Sequence, residues 1–337
     1  MRARSALLIL CAAFLASPVG AQFKLSGYLS AQYEKGESES EFPGGTFGKA
    51  RAGLLFTGTA QNFLDYALEL RFKTEDRLEI EEAWVGLSPS PAFHLKLGVY
   101  LVPFGKYNTF SRPHQTLFIQ PPLTQAQIYP ESWRDVGVTA EGSVSFLRYA
   151  VYIGNGLRED VDLGTAQQFK DNNNNKSSGG RVAILLSQAF ELGLSYYRGK
   201  YDDADERNLE YRGLDLSWNT AAFRLLYEYT EARVENPVDF TPGRAAGHFA
   251  LLALSWGEFS PFGSYQTFEY KDEFHGPGFG LTELPGSGIF SDGSRWAIGL
   301  SYLVSSNLLF KVEYDFNREE GLALKNDSFL AQVAFQF

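Results

Sequence analysis

The segment 103–132 carries the residues whose types and spacing most clearly suggest chemistry. Lys106, Arg112 and His114 fall within it, and no acidic side chain occurs before Glu131. Cationic side chains without nearby counter-charges attract anions, most strongly where low-dielectric walls focus the electric field. This spacing therefore predicts electrostatic selection of a charged solute rather than a covalent reaction.

A structural role for the same cations is the alternative. Lys106 and Arg112 would then pair with carboxylates on neighbouring elements, such as Glu69 or Glu141. Such pairing would cancel the positive charge of the segment. The sequence supports both interpretations equally, because it does not reveal what lies opposite the segment.

Covalent and metal chemistry find little support in the sequence. The histidines have neither metal-ligand spacing nor a Gly-x-Ser-x-Gly motif beside them; they are His94, His114, His248 and His275. The run 171–176 is similar to the start of a calcium loop, but Lys176 stands where such a loop requires glycine. The only cysteine is Cys11. We predict no catalytic nucleophile, no metal site and no cofactor.

The elements that must position these residues are β-strands. Apolar side chains alternate with polar ones from Phe23 to Glu34, and the same period of two recurs along the chain. This pattern predicts an all-β fold of about sixteen antiparallel strands. They are expected near 23–35, 47–59, 62–74, 78–88, 92–102, 133–143, 145–154, 179–188, 190–200, 208–219, 221–233, 245–257, 259–271, 292–303, 306–317 and 326–337.

The connections between these strands alternate in length. Tight turns are expected near 60–61, 89–91, 144, 189, 220, 258 and 304–305. Longer loops are expected at 36–46, 75–77, 103–132, 155–178, 201–207, 234–244, 272–291 and 318–325. Short periplasmic turns and long extracellular loops are typical of transmembrane β-barrels. We therefore predict a barrel in a bacterial outer membrane, with 103–132 as a candidate constriction loop.

Both ends of the chain are consistent with export to that membrane. Two arginines and an apolar run precede small residues at the end of segment 1–21, which predicts a cleavable signal peptide. Residues 22–337 would then form a single barrel domain in contact with outer-membrane lipid. The last strand is apolar at alternate positions up to Phe337, an ending typical of proteins recognised by the outer-membrane assembly machinery. A formal net charge of −10 argues against nucleic acid as a partner.

Strand parity predicts which charged side chains face the interior. An arginine or lysine facing lipid near the bilayer centre would cost roughly 2–4 kcal/mol, so these charges are assigned to the lumen wall. The predicted wall cations are Arg51, Arg71, Lys96, Arg148, Arg181, Arg224, Arg295 and Lys311, with Lys49 and Lys73 on the same face. The acids on that face are Glu69, Asp135, Glu141, Glu191, Asp215, Glu228, Glu313 and Asp315. The five tryptophans are expected in two aromatic girdles at the membrane surfaces.

Several segments of the chain resemble the phosphate-selective porin O and P family. The resemblance lies in 95–105, which ends in Pro103-Phe104-Gly105, and in 149–156, 211–216 and 226–229. It implies a sixteen-stranded barrel, commonly a homotrimer, whose third outside loop folds into the lumen. The arginine and lysine tracts of the phosphate-selective members have no residue-by-residue match here.

The expected function is passive diffusion of small hydrophilic solutes, with a preference for anions or phosphate. One alternative is a structural or adhesive outer-membrane barrel with an occluded lumen. A second is a barrel-type hydrolase, which would need a nucleophile and a base at the rim. Channel recordings separate the first expectation from both alternatives.

Overall fold

The computed structural model describes residues 22–60, 63–74, 77–160, 163–238, 240–272 and 292–337. The predicted signal peptide, His275 and most of the predicted loop 272–291 lie outside these residues. The strands are β1 Gln22–Gly36, β2 Thr46–Ala60, β3 Leu64–Lys73, β4 Arg77–Ser90, β5 Phe93–Leu101, β6 Arg134–Val144, β7 Leu147–Gly154, β8 Ser177–Leu185, β9 Phe190–Lys200, β10 Asn208–Asn219, β11 Phe223–Val234, β12 Gly243–Leu254, β13 Phe259–Asp272, β14 Gly293–Ser305, β15 Leu308–Glu319 and β16 Ser328–Gln336. A short helix, α1, spans Leu123–Gln127.

These sixteen strands form one closed antiparallel barrel. Each strand pairs with its neighbours in the chain, and β1 closes the sheet by pairing with β16 from Tyr28 opposite Gln336 to Gly36 opposite Ser328. Closure removes the unpaired sheet edges that lipid does not tolerate. The predicted strand number and fold class are confirmed.

Exposure is inverted relative to a water-soluble protein. Leu194 on β9 is 61% exposed, whereas its neighbour Ser195 is only 6% exposed. Leu97 and Ile298 are likewise large, apolar and exposed in the middle of their strands. Apolar side chains on the outside and polar ones inside are the arrangement that a surrounding bilayer favours.

The connections follow the predicted order of short turns and long loops with one exception. The β3–β4 connection has room for only residues 74–76, so it is no longer than a turn. The boundaries of β12 also differ, since this strand begins at Gly243 and ends at Leu254 rather than spanning 245–257. Within the described residues, no helix is long and apolar enough to span a membrane.

Part of the barrel interior is apolar rather than water-lined. Phe104, Tyr129 and Trp133 from the segment between β5 and β6 pack against Tyr197 and Tyr211 on the inner wall. The prediction that all five tryptophans belong to membrane girdles is therefore wrong for Trp133, which is completely buried inside. Trp133 immediately precedes β6, and the chain reaches this strand from the interior of the barrel, so the indole lies inside.

The outward face yields a test of where the membrane lies. Leu194→Lys, in the middle of β9, should lower the free energy of unfolding from lipid vesicles by about 2–4 kcal/mol, because the lysine would face hydrocarbon. The control Leu186→Lys lies beyond the end of β8, near a turn, and should cost only about 0–1 kcal/mol. Guanidinium titrations measure both values. Equal losses in the two variants would contradict this placement.

Candidate functional site

The segment 102–133 crosses the interior of the barrel and is fastened to strands on different sides of the wall. Glu228 on β11 accepts a hydrogen bond from the backbone N–H of Lys106 at 2.7 Å. Glu313 on β15 accepts one from Ile119 at 2.7 Å. Leu123, the first residue of α1, donates its N–H at 3.0 Å to the side chain of Gln266 on β13. These contacts place the segment inside the barrel along most of its length.

Lys311 on β15 provides a further attachment. Its ammonium donates hydrogen bonds to the carbonyl oxygens of Pro113, Thr116 and Phe118, at 2.9, 3.2 and 3.1 Å. The side chain is fully buried. Strand parity predicted that Lys311 faces water on the lumen wall. In the structure its side chain instead lies beneath the segment, where it donates hydrogen bonds to backbone carbonyls that have no partner in a β-sheet.

Arg112 pairs with wall carboxylates, as the structural alternative describes. Its Nε lies 3.0 Å from Glu69, and its terminal nitrogen lies 3.0 Å from Glu82. Burial by itself would lower the pKa of Arg112, but the hydrogen bonds and charge of Glu69 raise it above the usual value. Arg112 therefore stays protonated, and the carboxylates of β3 and β4 neutralise its positive charge.

His114 packs against the wall without an ionic partner in the described residues. Its ring centroid lies 5.1 Å from that of Tyr28 on β1. Burial, together with the positive charge of Arg112, lowers the pKa of His114 to about 4. The side chain is consequently neutral at neutral pH and adds no positive charge to the segment.

Three of the predicted cations meet at a single carboxylate. Lys106, Arg148 and Arg181 lie 3.2, 2.7 and 2.7 Å from the side-chain oxygens of Glu191 on β9. Arg181 also contacts Asp215 on β10. The three cations line a cavity of about 740 Å³ at the end of the barrel that carries the short turns. We call Lys106, Arg148, Arg181 and Glu191 the cationic cluster.

The remaining predicted wall cations are dispersed around the barrel. Most are paired with carboxylates, namely Arg51 with Glu131 at 3.0 Å, Arg71 with Glu79 at 2.7 Å, Lys96 with Glu141 at 2.6 Å and Arg295 with Asp315 at 3.6 Å. Arg224 is exposed and lines smaller cavities near the same turns. The structure therefore does not bring the predicted site residues together as one group.

Sequence reasoning missed the structural part played by the wall acids. Parity placed Glu228 and Glu313 on the inner face, but nothing in the sequence indicated that they would accept backbone N–H groups of a distant segment. Ser132 was also missed, although its hydroxyl accepts a hydrogen bond from Arg71 at 2.9 Å. These contacts join residues far apart in the sequence, so local patterns carry no signal for them.

The anchoring role of Lys311 can be tested by substitution. Lys311→Met keeps the length of the side chain but leaves three carbonyls without their donor, at about 1–3 kcal/mol for each group that water does not reach. We expect larger current fluctuations and faster proteolysis within 102–133. Lys24→Met, near the start of β1, is the control and should behave as the unmodified protein. A quiet channel with an intact segment in the Lys311 variant would contradict the role.

The environment of His114 predicts a titration. Since its folded-state pKa of about 4 lies below the usual 6.5, the stabilisation by neutral His114 is complete above about pH 6.5 and is lost as the pH falls towards 4. NMR of the labelled imidazole should give a midpoint near 4. The variant His114→Gln should show a weaker loss of stability over this pH range. A midpoint at or above 6.5 would contradict the assignment.

Solved structures with the same architecture share little sequence with this chain. OmpT of Vibrio cholerae lacking loop L8 has a TM-score of 0.68 and 10% identity, and the match covers 94% of this chain and 100% of that chain. The anion-selective porin from Comamonas acidovorans has a TM-score of 0.66 and 12% identity, with the same coverage. OpdO of Pseudomonas aeruginosa has a TM-score of 0.50 and 13% identity over 94% of this chain and 96% of its own. At these identities the likeness concerns the fold.

Sequence comparison supplies the family. An uncharacterized protein of Aquifex aeolicus is 25% identical over 141 residues, which is 39% of this chain and about a third (32%) of the length of that protein. The family model for Gram-negative porins matches residues 6–336. The predicted resemblance to porins is confirmed. Because this match spans nearly the whole chain, the protein belongs to the Gram-negative porin family, and its closed barrel resides in the bacterial outer membrane.

Proposed function

We propose that this porin is a narrow passive-diffusion channel for small hydrophilic solutes and that it prefers anions. The observation that carries the proposal is the cationic cluster on the cavity of about 740 Å³ inside the barrel. A solute that enters this cavity meets positive charges from the interior segment and from two neighbouring strands. Solutes would move down their own concentration gradients, with electrostatics biasing which of them enter.

The charges of the cluster do not cancel. Three cations share Glu191, and one of them also contacts Asp215, which leaves an excess of one positive charge. Glu141 lines the same cavity, but its carboxylate is paired with Lys96 at 2.6 Å. Arg148 is 52% exposed, so its guanidinium remains available to a passing anion. This location differs from the one that the sequence suggested, because Arg112 is neutralised and His114 is uncharged at neutral pH. Phosphate is one candidate within the broader class of anions.

The filled interior supports a narrow passage. The segment 102–133 contributes Tyr107 and Phe118 to an apolar cluster with Phe249 and Phe262 on the opposite wall. Space so filled does not conduct ions or polar solutes. We therefore propose that 103–132 acts as the constriction loop and that permeating solutes are small.

The same apolar filling favours an occluded barrel as the second candidate function. In that case the loops would contact partners outside the cell and no solute would cross. Planar-bilayer recording separates the two functions, because a channel gives stepwise conductance and a plugged barrel does not. We expect small, well-resolved steps, and their absence at high protein density would reject the channel.

Passive diffusion through the proposed channel requires no covalent step. A hydrolase would need a base such as histidine, but His248 lies on the outward face of β12, where its Nδ1 is 3.1 Å from the hydroxyl of Thr267 and its ring is near Tyr227. A residue on the lipid side of the barrel does not meet a solute in the lumen. We infer that the protein is not an enzyme.

The remaining expectations concern maturation and assembly. OmpT of Vibrio cholerae has a structure described as a trimer form. By analogy, we propose that this porin is a homotrimer. We further propose that residues 1–21 are removed on export and that the strand ending at Phe337 is recognised by the outer-membrane assembly machinery. Crosslinking of the purified protein tests the trimer.

The proposed anion preference depends on Arg148. Arg148→Glu changes the local charge by two units, which at about 8 Å in water disfavours a monovalent anion by about 1 kcal/mol. Chloride permeability should fall roughly fivefold at low salt, and the ratio of chloride to potassium permeability should fall further, because the same change in charge favours potassium. The zero-current potential across a membrane with a salt gradient measures this ratio.

The matched control replaces an exposed arginine outside the strands. Arg158 lies in the β7–β8 connection, is paired with Asp160, and has an exposure close to that of Arg148. Arg158→Glu should change the permeability ratio much less than Arg148→Glu does. Equal shifts in the two variants, or no shift in Arg148→Glu, would refute the assignment of selectivity to the cluster.

A further inference from the structure

A group of arginines occupies lipid-facing positions on the outside of the barrel. It comprises Arg198 on β9, Arg212 on β10, Arg233 on β11 and Arg244 on β12. Each alternates with buried inward-facing neighbours along its strand, so each side chain points away from the lumen. We call these four residues the arginine band. None of the four is among the wall cations that strand parity predicted.

The strand register makes the band continuous. Glu210 lies opposite Arg198 on one side and opposite Arg233 on the other. Arg233 lies directly opposite Arg244. Arg212 lies opposite Glu231, two positions further along the strands from the longer loops than the pair Glu210 and Arg233. The four guanidinium groups and two carboxylates thus form one patch across four adjacent strands.

The carboxylates of this patch lie beneath the guanidinium groups. The side chain of Glu231 is only 7% exposed and lies 2.7 Å from Arg233 and 2.6 Å from Arg244. Glu210 is 3.9 Å from Arg198 and 3.7 Å from Arg212. The side chains of the band are 58, 53, 45 and 38% exposed in chain order. Asp272, an exposed residue on β13, also lies opposite Arg244. Four cations therefore share three acids, which leaves the patch an excess of one positive charge.

Neighbouring aromatic residues indicate the depth of the band in the membrane. Below it on the outward face, rings run across four strands from Tyr227 through His248 and Tyr265 to Trp296, with centroids 6.0, 6.1 and 4.6 Å apart. Trp296 lies near the loop end of β14, where aromatic residues mark the membrane surface, whereas Tyr227 lies deeper, in register with Leu216. Arg198, Arg233 and Arg244 lie within two residues of the strand ends next to the longer loops, and Arg212 lies one row further in. The band therefore falls at the level of the outer-leaflet headgroups. Near that interface the cost of an outward arginine falls to about 0–1 kcal/mol.

We propose that the arginine band binds the phosphate groups of outer-leaflet lipid headgroups. Planar guanidinium groups donate paired hydrogen bonds to phosphate oxygens and are the preferred cations for this ligand. The exposed guanidinium groups and the excess positive charge match an anionic headgroup better than they match the apolar wall of a second barrel. The inference goes beyond the proposed function, since it concerns the outside of the barrel and not the solute.

The experiment uses the full mature porin in detergent and lipid A bearing two phosphates as the probe. Native mass spectrometry gives the affinity of the unmodified porin and of the double variant Arg212→Gln/Arg244→Gln. We expect binding by the variant to weaken at least about tenfold, because two charge-assisted contacts are lost. Lipid A without phosphates should bind the unmodified porin no better than it binds the variant.

The matched control is Arg318→Gln. Arg318 lies near the corresponding end of β15, is 69% exposed and is 3.4 Å from Asp327. This variant should bind lipid A as the unmodified porin does, and heat-modified electrophoretic mobility confirms that both variants are folded. Unchanged affinity in the double variant would overturn the proposal. Loss of the oligomer with unchanged lipid A affinity would also overturn it and would identify the band as an interface between copies.

Discussion

The attachment of the segment 102–133 to the inner wall is the interaction on which the rest of this structure depends. A segment that leaves the sheet gives up its ladder hydrogen bonds and must find other partners, because unpaired buried backbone groups are costly. Here charged wall residues supply them. Lys311 donates to three carbonyl oxygens, while Glu228 and Glu313 accept from N–H groups. The wall charges hold the segment in place as much as they face water.

This use of charge decides where selectivity can arise. Arg112 and Arg71 are committed to carboxylates of β3 and β4, so little of their positive potential reaches the lumen. Lys106, Arg148 and Arg181 are different, because all three surround the single carboxylate of Glu191 on an open cavity. An overall acidic protein can therefore present a locally positive surface to a solute. The local charge that a solute meets depends on how many cations share each carboxylate, and not on the net charge of the protein.

The sequence predicted the barrel well and the interior poorly. A side-chain period of two places every residue of a strand on one face or the other, so it puts Arg181 and Glu191 on the same face, and their side chains lie 2.7 Å apart. Parity does not say what lies across the lumen. Lys311 and Thr116 are 195 positions apart, and no local pattern connects them. The burial of Trp133 and the neutrality of His114 follow from that unpredicted path.

We infer that the fixed segment leaves the cluster around Glu191 as the place where anions meet the protein. Diffraction from crystals soaked in bromide tests it most directly, because anomalous scattering locates the anion itself. We expect bromide in the cavity beside Lys106 and Arg148. Bromide beside Arg112 and His114, with none in that cavity, would contradict it.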